Sequence, residues 1–327
     1  MAQKVVWKMI KTPVIPLDFV SGFRGCRGNI FAKLEGCNET KSMKIRSARK
    51  ILDMANLPQR SVIIESTSGN MGVALAAEAS RRKLDCKLVV DPKLSPWHRK
   101  EMNAYGVYPH DVYVKDDTDG WLKTRLNVVK EYLDGHPDWY WVNQYENPWN
   151  PLAFEELGAE IMGQLKEEID KALGVHLFMA VSTGGSLTGV ARYMNTHLPA
   201  EKDFVVYAVD AKGSAIFGPP GKRYLNGIGS SLCNPPNLNR RLIDHAILVD
   251  DRTAFKMCWE LRKTGPYVGG SSGAVAAAIK TKISAFKKDD LVIGVFPDAG
   301  DIYTDTLYNV SWLKERDFNV MEMICAG

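Results

Sequence analysis

The sequence predicts an α/β protein with two parallel-sheet units, on three observations. Apolar runs of four to six residues recur, each followed by an amphipathic segment, the mark of strands covered on both faces by crossover helices. The alternation occurs twice along 327 residues, enough chain for two domains at roughly 100–200 residues each. Polar turns rich in Gly, Ser and Thr follow several of the runs, at the strand ends where such folds bind ligands.

In the first unit RSVIIEST reads as a strand, GVALAAEASRRK as a helix, KLVVD as a strand and PWHRKEMNAYG as a helix. DVYVK, WLKTRLNVVKEYLDG and WYWVNQY continue as strand, helix and strand. NPWNP (147–151) marks the boundary, because its prolines and asparagines break both helix and strand. The second unit runs through AFEELGAEIMGQLKEEI, HLFMAVST, GVARYMNTH, FVVYAVDA, AILVDD, AFKMCWELRKTG, AVAAAIKTKISAF and LVIGVFPD. Between them GSAIFGPPGKRYLNGIGSSLCNPPN is too long and too rich in Gly and Pro for a simple connector, and loops of this kind tend to line sites.

Composition excludes several classes. Hydrophobic content is 45%, charged content 24% and net charge +4, all ordinary for a globular chain. Basic residues are scattered, so no nucleic-acid partner is expected. No apolar run approaches the roughly 20 residues of a membrane helix, and MAQKVVWKMIKTP lacks a signal-peptide core. A cytoplasmic, non-membrane protein is therefore expected. Cys26, Cys37, Cys86, Cys233, Cys258 and Cys325 form no C-x-x-C pair, and no H-x-x-x-H occurs. Neither a disulfide framework nor a metal site is expected.

Four polar turns carry the chemistry: NETKSMKIR with Lys41 and Lys44, ESTSGNMG (65–72), VSTGGSLTG (181–189) and GGSSGAVAAA, where Ser271 and Ser272 are expected to cap a helix. Singly, each has a structural explanation as helix caps and turn glycines. VSTGGSLTG, between strand and helix, is also how a phosphate cradle is built from N–H groups at a helix N-terminus. It lacks the P-loop lysine and the dinucleotide glycine spacing. Together the four turns are able to hold a phosphorylated ligand, a carboxylate and a reactive amine.

The ordered set K-x-R, T-S-G-N, S-T-G-G-S and G-G-S-S-G resembles the fold-type II pyridoxal-phosphate enzymes, the tryptophan synthase β-like group that includes cysteine synthases and cystathionine β-synthases. TPVIPL, QYENPWNP and FPDAGDIY extend the resemblance nearly end to end. It implies two open, twisted, mainly parallel sheets flanked by helices. It also implies a large cofactor domain (1–45 and 150–327), a small mobile domain (46–149) and a homodimer. Pyridoxal 5′-phosphate is the implied cofactor, its phosphate held by Ser182, Thr183, Gly184, Gly185 and Ser186, and its aldehyde carbon by Lys44 as a Schiff base. Asn70 would bond its 3′-oxygen and Ser271 its pyridine nitrogen, while Ser66, Thr67, Ser68 and Gln144 would grip the substrate carboxylate. An ordinary lysine has a pKa near roughly 10.4 and is a poor nucleophile, so the site must favour neutral Lys44.

Within the family, IESTSGNMGVALA, LVVDPKLSP, WVNQYENPWN, AVDAKGSAIFG and LNGIGSS resemble synthases that join the amine of L-glutamate to O-phospho-L-serine and supply 2,3-diaminopropionate for siderophores and antibiotics. The implied reaction is β-replacement on an activated serine. Sulfide or a thiol in place of the amine is the alternative within the family. In DTDGWLKTR (117–125), Arg125 either lies on a solvated helix face or pairs with an anionic group of donor or acceptor. Two departures stand out: Ile45 replaces the acid that usually follows the lysine, and Glu39 replaces a proline. They motivate a further alternative, a non-catalytic module that binds the cofactor or a partner protein.

Overall fold

The structure, a computed structural model, describes residues 11–24, 28–117, 120–319 and 321. The leading MAQKVVWKMI, Cys26, Cys325, and Thr118 and Asp119 of the DTDG stretch lie outside the described residues.

Among the described residues ten strands run in chain order: β1 (Val14–Pro16), β2 (Asn29–Leu34), β3 (Val62–Ser66), β4 (Asp85–Val90), β5 (His110–Asp111), β6 (Tyr140–Trp141), β7 (Gly174–Ala180), β8 (Asp203–Ala211), β9 (His245–Val249) and β10 (Asp290–Phe296). Among the described residues they form a six-stranded sheet in the order β1-β2-β10-β7-β8-β9 and a four-stranded sheet in the order β5-β4-β3-β6. Every pairing is parallel except β1 with β2. This is the expected α/β architecture.

Successive residues of a strand point to opposite faces, and the core divides accordingly. On β7, Leu177 and Met179 join one apolar cluster while Phe178 and Ala180 join another. On β3, Ile63 and Ile64 divide the same way. Both faces are covered, which is why these strands read as unbroken apolar runs. The helix Gly270–Lys282 packs on β10 and β7 and is buried from Gly270 through Ile279. Small residues there let it lie close to the sheet. The helix Lys44–Ala55 packs against the helices Asn70–Arg82 and Trp149–Gln164, so it joins the elements of the two sheets.

Some local expectations fail for physical reasons. The helix Trp149–Gln164 starts inside NPWNP, with Pro148 at its N-cap and Pro151 in its first turn, where a missing N–H costs no helical bond. DVYVK contributes only its first residue to a strand, and Tyr113 and Val114 are exposed. AFEELGAEIMGQLKEEI is broken at Leu165, followed by the short helix Lys166–Lys171. The helix at GGSSG is preceded by Gly269, and Ser271 and Ser272 lie inside its first turn, so they do not cap it.

Candidate active site

The carboxyl end of β10 organises the site. Met43 N donates to Pro297 O at 2.9 Å and Ala299 N to Lys41 O at 3.0 Å. The turn before the helix Lys44–Ala55 is thereby stitched to the residues following β10, and Lys44 is the first residue of that helix. Its side chain is half-buried, and burial pushes the amine down to about 8, with the carboxylates of Glu65 and Asp298 opposing the shift.

Both carboxylates are themselves buried. Glu65, on β3, is pushed up to about 7 by burial, against stabilisation from the Gln144 and Ser66 N–H groups, Arg125 and Lys44. Those N–H groups donate to Glu65 at 3.0 and 2.8 Å. Asp298 is pushed up to about 6 by burial, tempered by its hydrogen bonds. Tyr303 OH and Asn70 Nδ2 donate to its Oδ2 at 2.6 and 2.8 Å, and Ser271 Oγ donates to Oδ1 at 3.3 Å. Asp298 thus gathers Asn70 from beside the small sheet, Ser271 and Tyr303 from beside the large one, and the charge of Lys44.

The loop after β7 holds the other group of predicted residues. Gly184 takes φ +87 as N-cap of the helix Gly185–His197, which no side chain caps. The N–H groups of a helix's first turn have no partners within the helix. Ser182 Oγ donates to Gly229 O at 2.9 Å; Thr183 is buried and Ser186 half-buried. A Cβ on Gly184 would lie 2.5 Å from Leu238 Cα, and one on Gly185 would lie 2.7 Å from the Asn150 amide. Both glycines are therefore required by packing against neighbouring chain.

Ser66, Thr67, Ser68 and Gln144 lie together at the end of β3. Gln144 Nε2 donates to Ser66 O at 3.4 Å, and Thr67 Oγ1 accepts from the N–H groups of Gly69 and Gly72 at 3.2 and 3.1 Å. Ser68 is exposed. Arg125 does not lie on a solvated face: it is buried, its Nε 3.2 Å from Asp91 Oδ2. Its charge acts on Glu65 and Tyr145. Lys123 is exposed and paired with Asp117, and Lys41 pairs with Asp301.

These residues suit the implied cofactor. The uncapped helix start offers N–H donors to a phosphate. Among the described residues the buried hydroxyls of Thr40, Ser66 and Ser272 have no hydrogen-bond partner; that of Ser66, beside Gln144 at the end of β3, is a group a ligand would satisfy. Asp298, Glu65, Tyr303 and His98, whose Nε2 lies 2.8 Å from Asn70 Oδ1, were not singled out from sequence. An acid two residues past the carboxyl end of a strand was the available signal for Asp298. The two departures are absorbed: Ile45 is packed in the apolar cluster with Ile51 and Met71, and Glu39 pairs with Arg49 and Arg81.

The sequence pattern of the family described as "Pyridoxal-phosphate dependent enzyme" matches residues 8–298. An N-(2-amino-2-carboxyethyl)-L-glutamate synthase of Cupriavidus metallidurans is 38% identical over 313 residues, covering 92% of this chain and 88% of that protein. A hydrogen sulfide-producing enzyme of Fusobacterium nucleatum superposes with a TM-score of 0.81 at 27% identity, over 90% of this chain and 97% of that one. An O-acetylserine dependent cystathionine β-synthase of Helicobacter pylori gives a TM-score of 0.79 at 29% identity, over 91% and 95%.

Proposed function

The chain belongs to the pyridoxal-phosphate dependent enzyme family, and from that premise we propose that it replaces the phosphate of O-phospho-L-serine with the amine of L-glutamate. The observation that carries the cofactor part of this reading is the convergence of Lys44, Asn70 and Ser271 on Asp298. The acceptor follows the name of the Cupriavidus metallidurans relative; the donor, O-phospho-L-serine, rests on the sequence stretches that resemble such synthases alone.

Bound pyridoxal phosphate supplies an electron sink for the carbanion left when an amino acid loses its α-proton. Lys44 is the point of covalent attachment. Once the amino group of the incoming substrate takes its place, Nζ, whose amine near pKa 8 is about one-tenth neutral at pH 7 against far less for an ordinary lysine, would take the α-proton and later return one to Cα. The first-turn N–H groups after Gly184, with Ser182, Thr183 and Ser186, hold the cofactor phosphate; Asn70 and Ser271 hold the ring. Ser66, Thr67, Ser68 and Gln144 take the substrate carboxylate, while Arg125, held by Asp91, acts on the site through its charge at Glu65. The β-carbon–oxygen bond breaks with release of phosphate, and a bond to the glutamate nitrogen forms in its place.

The small unit (46–149) closing over the large one, and a twofold homodimer, are part of the proposal; light scattering at twice the chain mass is the expected result. Cys37, Cys86, Cys233 and Cys258 are free thiols, which fits a reducing compartment and the proposed cytoplasmic location.

The sulfur-handling neighbours favour one competing reading, with sulfide or a thiol as nucleophile. Incubation with O-phosphoserine and either glutamate or sulfide separates the two by product mass. Product with glutamate, accompanied by free phosphate, is expected; product with sulfide alone overturns the acceptor assignment.

A further inference from the structure

His98 lies on the helix Pro96–Ala104 and is buried at 6% exposure. Its two ring nitrogens are both engaged: Nε2 lies 2.8 Å from Asn70 Oδ1, and Nδ1 lies 2.7 Å from Ser95 Oγ. We propose that His98 is a positioning residue, fixing the Asn70 side-chain amide so that its Nδ2 faces Asp298 and the cofactor. The proposal rests on the assignment of Asn70 to the cofactor made above.

The hydrogen-bond directions follow from Asp298. An ionised carboxylate only accepts, so the Asn70 atom 2.8 Å from Asp298 Oδ2 is the amide nitrogen. The amide oxygen then faces His98, and Nε2 must carry the ring proton. Nδ1 is left as an acceptor, which the Ser95 hydroxyl supplies with a donor. Every atom along Ser95, His98, Asn70 and Asp298 therefore has one role. Burial pushes His98 down to about 4, so the ring is neutral and keeps one donor and one acceptor.

Two features hold the ring in place. Ser95 caps the helix by accepting from His98 N at 3.3 Å, so one hydroxyl fixes both the backbone and the ring of His98. Gly69 has φ +154, and a Cβ there would fall 2.7 Å from His98 Nε2. Glycine at 69 is what lets the ring reach Asn70. An amide is nearly symmetric in shape, so packing alone would not choose between its two orientations. Asp298 and the His98 Nε2 donor make that choice together, because the flipped amide would set its oxygen against the Asp298 carboxylate and its N–H against the Nε2 proton.

The test measures pyridoxal-phosphate uptake by the apoprotein, followed by absorbance, with thermal unfolding of each apoprotein as a control on folding. His98→Leu removes the donor; His98→Gln keeps an N–H at similar reach. His98→Asn keeps the contact toward Ser95, drops the one toward Asn70, and serves if His98→Leu does not fold. Each is made alone and with Asn70→Ala. The expected result is a roughly tenfold loss of affinity for His98→Leu and His98→Asn, about the effect of one buried hydrogen bond. His98→Gln should recover most of it, and none of the three should matter once Asn70 is alanine. Unchanged affinity in His98→Leu and His98→Asn, or an equal loss in the Asn70→Ala background, overturns the inference and leaves His98 as packing. A wild-type chain that takes up no pyridoxal phosphate overturns the site assignment and the inference together; a wild-type chain that binds while the variants are unaffected overturns the inference alone.

Discussion

Arg46 grips Glu35 at two points, Nε to Oε2 at 2.6 Å and Nη2 to Oε1 at 2.8 Å. Both side chains are almost fully buried, and Arg46 also meets Glu160 at 3.0 Å. Glu35 directly follows β2, while Arg46 is in the first turn of the helix that Lys44 begins. The pair therefore sets where the reactive amine stands relative to the large sheet.

Breaking such a pair leaves an uncompensated buried charge. Arg46→Leu is expected to lower stability by about 3–5 kcal/mol, read as a reduced urea midpoint with an unchanged slope. A loss under about 1 kcal/mol would mean the grip is as weak as a surface ion pair.

Lys44 gives a pH signature. Its amine in the folded apoprotein titrates near 8, against 10.5 when unperturbed, so between these values the unfolded chain holds the extra proton. By linkage, the burial penalty is fully present below about pH 8 and fades as pH rises toward 10.5. Stability of the wild-type apoprotein relative to Lys44→Met should therefore climb through that window. A flat difference would place Lys44 in water.

Gly184→Ala should weaken both fold and cofactor binding. Its φ is +87 and the new Cβ meets the backbone of Leu238, so a cost of about 1–3 kcal/mol is expected from strain. Chemical denaturation and a cofactor titration read the two effects separately. Full stability with cofactor binding lost would mean that residue 238 does not press on the loop.

Arg125→Ala should leave Asp91 buried and unpaired, because the two side chains are only 8% and 5% exposed. A loss of about 3–5 kcal/mol is expected, together with a raised KM for one substrate. The double variant Arg125→Leu with Asp91→Leu should recover stability but not KM. Recovery of both would make Arg125 purely structural.

The alternation of strand and helix was legible because β7, β10 and their neighbours are covered on both faces and so are written as apolar runs. The short edges were not: Tyr113 and Val114 have strand-forming side chains yet point into solvent, since propensity cannot report whether a partner strand is present. Lys44, Asn70, Ser271 and the loop at Ser182 were legible as an ordered set of motifs. Asp298 and His98 were not, because the contacts that set them beside Asn70 join residues 228 and 28 positions apart in the chain. Arg125 read either as a solvated helix position or as a partner for an anionic ligand group, because its actual partner, Asp91, lies in the turn after β4.

The central claim, that the cofactor is bound covalently at Lys44 within the Asp298 cluster, is tested by borohydride reduction of the protein loaded with pyridoxal phosphate, followed by peptide mass mapping. The account predicts one pyridoxyl group per chain, on Lys44, and none in Lys44→Ala. A pyridoxyl group on Lys41 or another lysine of the loaded wild-type protein would contradict it.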